Sequence, residues 1–187
     1  SETVWRQADR YQVPRICFVN KMDRVGASFE MTVESIRTRL GAHAIPMQLP
    51  IGSEANFNGV IDLLTMQAIY WSGDMGRDMT YQPIPAELRA EAELHRSEMV
   101  ERAAELDDHL MVKFLDGHEI SLDELKAGLR RIVIENRATL VYCGSSLRNK
   151  GVQPVLDAVV DFLPSPLDVP PVLGKDTNKD IEVERHA

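Results

Sequence analysis

Polar and apolar positions along the chain repeat with two periods, and the changes between them mark out the elements. The first residues read as a helix ending near Tyr11, followed by a turn at Val13-Pro14. Arg15-Ile16-Cys17-Phe18-Val19 is a short apolar run, the pattern of a parallel strand buried on both faces. It stops at the polar Asn20-Lys21-Met22-Asp23. Ser28 then sets up an N-cap, Phe29, Val33, Ile36 and Leu40 recur at helical spacing, and Gly41 closes the helix. Residues 45–71 hold short runs broken by Pro50, Gly52 and Asn58-Gly59, which predicts small strands and turns, and residues 72–82 read as a loop. Pro83-Ile84-Pro85 opens a long helix with Leu88, Ala92, His95, Met99, Ala103 and Leu106 on one stripe. His95 on that stripe reads as a core-edge histidine rather than a ligand. A shorter helix ends at Asp116-Gly117, and Ser121-Leu122-Asp123-Glu124 is a capping box ahead of Leu125, Leu129, Ile132 and Val133. Thr139-Leu140-Val141-Tyr142-Cys143 is a second apolar strand ending in Gly144-Ser145-Ser146. The last helix runs from Val152 to Phe162, prolines end it, and a polar tail begins at Leu173.

Composition narrows the class. At 44% hydrophobic residues the chain is globular rather than disordered. No apolar run approaches the ~20 residues of a membrane span, and the first residues lack a basic-then-apolar signal pattern, so a cytoplasmic location is expected, without membrane attachment. Cys17 and Cys143 each sit in an apolar strand and read as reduced structural thiols, since two isolated cysteines make neither a disulfide framework nor a zinc site. The net charge of -8 argues against nucleic-acid binding by bulk electrostatics. Residues 86–136 hold 13 Asp and Glu against 7 Lys and Arg. That acidity is either a solvated helix face or a surface for a protein partner.

Two strands ending in polar turns predict an open α/β sheet, in which ligands bind beyond the carboxyl ends of the strands. The first turn, Asn20-Lys21-Met22-Asp23, matches N-K-x-D. Its residue types suit guanine. The Asp23 carboxylate can accept from the adjacent N1–H and N2 amino donors, a charge-assisted bidentate contact that adenine cannot offer. Asn20 can reach N7 and tie the loop to its surroundings. The Lys21 stem can lie along the purine face. The second turn, Gly144-Ser145-Ser146, is similar to the companion S-A-x motif, with Ser146 where Ala is usual. There a backbone N–H points at guanine O6 and the serine side chain braces the first loop.

Longer segments carry a family resemblance. Val19 to Arg24, Leu49-Pro50-Ile51-Gly52, Gly59-Val60-Ile61-Asp62-Leu63-Leu64, Asn149-Lys150-Gly151-Val152-Gln153, the stretch from Asp157 to Pro171 and the opening Ser1 to Arg10 resemble the elongation factor G family of translational GTPases. The resemblance implies an α/β fold, a partial parallel sheet of the P-loop-GTPase type with an inserted α+β subdomain. Residues 1–40 and 137–166 would form the C-terminal half of the G domain, 41–136 the insert, and 167–187 a linker towards a second domain. It implies GTP or GDP as ligand, bound through Asn20, Lys21, Asp23, Ser145 and Ser146. The ribosome would be the partner, with its stalk protein contacting the insert. About 120 residues separate Asp23 from Ser145, which leaves room for such an insert.

No G-x-x-x-x-G-K-[ST] loop occurs. Gly144 to Lys150 has a lysine at a suggestive distance, but Asn149 stands where glycine is required and no Ser or Thr follows. Asp23-Arg24-Val25-Gly26 spells D-x-x-G, yet Asp23 is already needed for the base. The resemblance places the phosphate, Mg²⁺ and water-positioning residues upstream of Ser1, and the further domains mostly downstream of Ala187. The expectation is therefore a base-recognition fragment with an exposed sheet edge, no catalytic residue and no metal ligand, inactive as a GTPase by itself. One charged bidentate pair with a backbone contact supplies ~3–5 kcal/mol, roughly millimolar binding or weaker. The rival readings are a non-enzymatic stalk-interaction module, a ribosome-recycling or ribosome-protection paralogue, and an unrelated α/β domain with a chance N-K-x-D.

Overall fold

The computed structural model describes residues 2–168, and the backbone of two further segments, Val172–Asp176 and Ile181–Arg185. The chain opens with α1 (Glu2–Arg10), β1 (Ile16–Val19), α2 (Phe29–Leu40) and β2 (Ala44–Pro46). Four strands follow: β3 (Gln48–Ile51), β4 (Gly59–Asp62), β5 (Gln67–Ser72) and β6 (Asp78–Gln82). Then come α3 (Ala86–Leu106), α4 (Asp108–Leu115), α5 (Leu122–Ile134), β7 (Thr139–Cys143) and α6 (Val152–Phe162). β8 (Val172–Asp176) and β9 (Ile181–Arg185) pair antiparallel where the sequence reads as a polar tail.

Local signals behave as their chemistry requires. The Ser28 hydroxyl accepts from the Met31 N–H, and Gly41 ends α2 in the left-handed region at φ 63°. At α5, Ser121 accepts from the Glu124 N–H while the Glu124 carboxylate accepts from the Ser121 N–H, a complete capping box. On α3, Ala92, Met99 and Ala103 are buried, and His95 lies half-buried with Nδ1 3.1 Å from Glu98 Oε2.

β7 is the centre of a parallel sheet of order β1-β7-β2. All five of its residues are buried, and they alternate between two cores. Leu140 and Tyr142 face the helices α3, α5 and α6, with Leu125, Leu129 and Ile132. Val141 and Cys143 face α2 and the β4–β5 pair, with Val33, Phe57, Val60 and Ile69. Each fully buried Leu or Ile here contributes about 1.5–3 kcal/mol.

Two expectations are corrected. β1 is half-buried at every position rather than buried on both faces, because among the described residues it pairs with β7 alone and forms the sheet edge. Cys17 is accordingly half-buried, while Cys143 is fully buried. Residues 78–82, read as loop, form β6 at the edge of the antiparallel sheet β3-β4-β5-β6. Four of its five residues are exposed, so no alternation marks it.

The two sheets meet without a break. Met47 N–H donates to the Val141 carbonyl at 2.9 Å, and buried Gln48 accepts from the Cys143 N–H. The antiparallel sheet is thus fixed against the carboxyl end of β7. Arg130 of α5 donates to the carbonyls of Asp161 and Leu163 at 2.8 and 3.0 Å, which caps the end of α6. Among the described residues no helix is long and apolar enough to cross a membrane.

Candidate functional site

β1 and β7 are parallel neighbours in register, Val19 opposite Cys143, so the chain leaves both at the same end of the sheet. The Asn20–Asp23 turn and the Gly144–Lys150 turn therefore face each other. Backbone bonds seam them together: Gly144 N–H to the Val19 carbonyl at 3.0 Å, and Met22 N–H to the Gly144 carbonyl at 3.1 Å. Met22 is buried and anchors its loop in the core shared by α2 and β5.

Asn20 joins the two turns. Its Oδ1 accepts from Lys21 N–H at 2.8 Å, from Ser146 N–H at 3.0 Å and from Ser146 Oγ at 3.1 Å. Two backbone donors converge on that atom, so it must be the oxygen. Nδ2, which has no partner among the described residues, is left available as a donor. Lys21 takes φ 65°, the left-handed region, a conformation that costs a non-glycine residue about 1–3 kcal/mol and persists where its surroundings enforce it.

The Asp23 side chain is 15% exposed and its Oδ2 lies 3.6 Å from Arg148 Nε. Its carboxyl is held below the usual carboxylate range. The nearby Ser145 hydroxyl is the largest cause; Asp23's own backbone N–H and then the Arg148 and Arg24 charges add to it, while partial burial opposes them. The Ser145 hydroxyl is itself buried and has no hydrogen-bond partner among the described residues, so the side-chain brace between the turns is made by Ser146, whose hydroxyl meets Asn20 Oδ1, and not by Ser145 as the sequence suggests. Asp23 is a carboxylate at neutral pH, as an acceptor for two N–H donors must be. Both thiols are pushed up by burial and remain protonated. They are spectators.

The second turn closes tightly. Ser145 and Lys150 exchange backbone hydrogen bonds at 2.8 and 3.0 Å. A Cβ on Gly144 would lie 2.3 Å from the Lys150 carbonyl oxygen and 2.8 Å from the Phe18 ring. Gly144→Ala is therefore expected to cost about 1–3 kcal/mol through overpacking, and to force the two turns apart. Thermal unfolding gives the first effect, and the exchange rate of the Met22 amide, bonded to Gly144, gives the second.

All five residues singled out from the sequence come together at this end of the sheet. Sequence reasoning missed Arg148, which reaches Asp23 only because the second turn folds back, and no spacing marks it. It also missed the neighbours supplied by the antiparallel sheet. Glu54 Oε1 accepts from Gly26 N–H at 2.8 Å, and the Phe57 carbonyl accepts from Lys150 Nζ at 2.9 Å. Among the described residues no cluster of His, Cys, Asp and Glu is suited to a metal ion.

A three-stranded parallel sheet with two polar turns meeting at its carboxyl end is of the open α/β class, in which ligands bind beyond the carboxyl ends of the strands. The family follows from comparison: residues 1–165 match the elongation factor Tu GTP binding domain, and the chain belongs to that family. It is 59% identical over 174 residues to the elongation factors G of Thermotoga petrophila and Thermotoga maritima, covering 93% of this chain. The chain spans 25% of the length of those relatives. A crystal structure of a Thermus thermophilus protein superposes with a TM-score of 0.80 at 28% identity, over 93% of this chain and 26% of that one.

Proposed function

We propose that this chain is the guanine-recognition part of a translational GTPase of the elongation factor G kind. The whole protein would use GTP hydrolysis to move tRNA and mRNA on the ribosome. Residues 1–40 and 137–166 form the C-terminal half of its G domain, 41–136 an inserted subdomain, and 167–187 lead towards a further domain. The insert is the surface for the ribosomal stalk protein. Asp23 accepts from N1–H and the N2 amino group, Asn20 Nδ2 donates to N7, and the Lys21 stem covers one purine face. The Ser146 N–H, shared with Asn20 Oδ1, is the donor offered to O6, and the Ser145 backbone, paired with Lys150, holds the second turn closed. The observation that carries this reading is the Asn20 carboxamide oxygen binding both turns at once, with an ionised Asp23 beside it. The G-x-x-x-x-G-K-[ST] pattern does not occur in residues 1–187, so hydrolysis by this chain alone is not expected.

Titration with a fluorescent GDP, against an ADP analogue, tests the reading. Weak binding that favours guanine is expected, roughly millimolar or weaker, because only the base contacts are present. Equal binding of both nucleotides, or GTP turnover above background in a pure preparation, contradicts it.

A further inference from the structure

The sequence marks Lys150 as the lysine of a phosphate loop that fails. The structure gives that lysine another task. The residue is half-buried, and its ammonium donates to the Phe57 carbonyl just ahead of β4. Among the described residues it is one of four side-chain ties between the turns, with the segments that leave them, and the antiparallel sheet with its loops. Asn149 Nδ2 donates to the Gly76 carbonyl at 3.4 Å. Buried Trp71 of β5 donates through Nε1 to Gln153 Oε1 at 3.0 Å. On the first turn's side, Gly26 N–H donates to Glu54 Oε1. Three of these contacts hold the second turn and its following helix, and the fourth holds the loop leaving the first.

Two of the tied residues have a left-handed backbone, which asparagine adopts readily but which strains a glutamate. Glu54 has φ 53° and Asn149 φ 52°, both in the left-handed region. Such strain persists only where surrounding contacts over-determine it. The geometry also provides a route from tie to site. Lys150 exchanges both backbone bonds with Ser145; on one side of Ser145 the Gly144 carbonyl accepts from the Met22 N–H, next to Asp23, and on the other Ser146 holds Asn20. A displacement of Lys150 therefore reaches both residues that would read the base.

We propose that Lys150 and Glu54 are positioning residues for base recognition, through which the antiparallel sheet sets the spacing of the two turns and hence the selectivity for guanine. This rests on the base-recognition reading above. The alternative is that both ties only hold the fold. Selectivity separates the two. GDP and IDP differ only in the N2 amino group, so the ratio of their affinities reports how well Asp23 is aligned with N1 and N2. A tie that only stabilises the fold leaves that ratio unchanged.

The experiment is an amide chemical-shift titration of the isotope-labelled chain with GDP and with IDP. It compares the parent, Lys150→Met, Lys150→Arg, Glu54→Ala and Asp23→Asn. Lys150→Met is expected to lower the GDP-to-IDP preference about tenfold, with Lys150→Arg restoring most of it and Glu54→Ala giving a smaller loss. An unchanged preference in folded Lys150→Met and Glu54→Ala overturns the proposal. Should Lys150→Met fail to fold, Glu54→Ala decides on the same readout. A parent preference that survives in Asp23→Asn overturns the base-recognition reading instead. If the parent shows no guanine-dependent shift at millimolar nucleotide, that reading fails for this chain. Amide exchange at Ser146 and Met22 then decides whether the ties position the turns. Faster exchange there in Lys150→Met, with α5 unchanged, supports the positioning role, and equal rates overturn it.

Discussion

Asp107→Ala is expected to lower the unfolding free energy of this chain by about 2–4 kcal/mol, the largest stability loss of any single polar substitution among the described residues. Asp107 sits where α3 ends and α4 begins, and it is 5% exposed. Its Oδ1 caps α4 by accepting from Leu110 N–H at 2.9 Å, and its two oxygens receive the fork of Arg131 at 2.7 and 2.9 Å. One carboxylate thus joins three helices around the core that buries Leu110, Leu129 and Ile132. Losing an N-cap costs about 0.5–2 kcal/mol, and breaking a buried ion pair costs about 3–5 kcal/mol. The second figure must be reduced, because the Arg131 side chain is 40% exposed and can return to water. Asp107→Asn keeps the cap and loses the charged fork, so about half the effect is expected. Urea unfolding followed by far-ultraviolet circular dichroism measures both. A loss below about 0.5 kcal/mol in Asp107→Ala would mean that packing alone holds the junction.

The pH dependence has a definite sign. Arg131 first, and then the Leu110 N–H, hold the Asp107 carboxyl below its ordinary value. A group whose folded pKa is depressed contributes its full stability above the unfolded value, about 3.9, and loses it as pH falls through the folded one. The gap between parent and Asp107→Ala should therefore be constant near neutrality and close in acid. Glu124 acts in the same direction. Lys113 and then Ser121 draw its carboxyl down to about 2, although its exposure to solvent screens the contribution.

Where the sequence was readable, a local rule sufficed. Ser28, Gly41 and the Ser121–Glu124 box act within one turn of chain, so they work in the sequence as they do in the fold. β7 was readable because burial on both faces leaves an unbroken apolar run. β1 has the same kind of run, but its burial depends on a neighbour, which no local pattern reveals. β6 was unreadable because an exposed edge strand has no face to mark. The site divides in the same way. Asn20, Lys21, Asp23, Ser145 and Ser146 are contiguous in two turns, and their residue types state their chemistry. Arg148, Glu54 and the Phe57 carbonyl enter through tertiary contact, one of them as a backbone atom that carries no side-chain signal.

Asp23→Asn is the substitution expected to change binding most. A carboxylate offers acceptors to both N1–H and the N2 amino group. A carboxamide offers one acceptor and sets an NH₂ against the other donor. Each charged hydrogen bond is worth about 1.5–3 kcal/mol, so losing one and mispairing another should weaken guanine binding by about two orders of magnitude. The same geometry predicts a change of preference. Xanthine has a carbonyl where guanine has its amino group, and it faces the carboxamide with a complementary acceptor. The Asp23→Asn variant should therefore favour a xanthosine nucleotide over GDP, while the parent favours GDP. The fold should tolerate the exchange, because the Asp23 contact with Arg148 is 3.6 Å long and Arg148 is two-thirds exposed. Competition of XDP and GDP against one labelled nucleotide measures the inversion directly. Equal weakening of XDP and GDP binding, with the preference unchanged, would assign Asp23 to shaping the turn. Inversion assigns it to reading the base, because only a group in contact with the C2 substituent can distinguish an amino group from a carbonyl there.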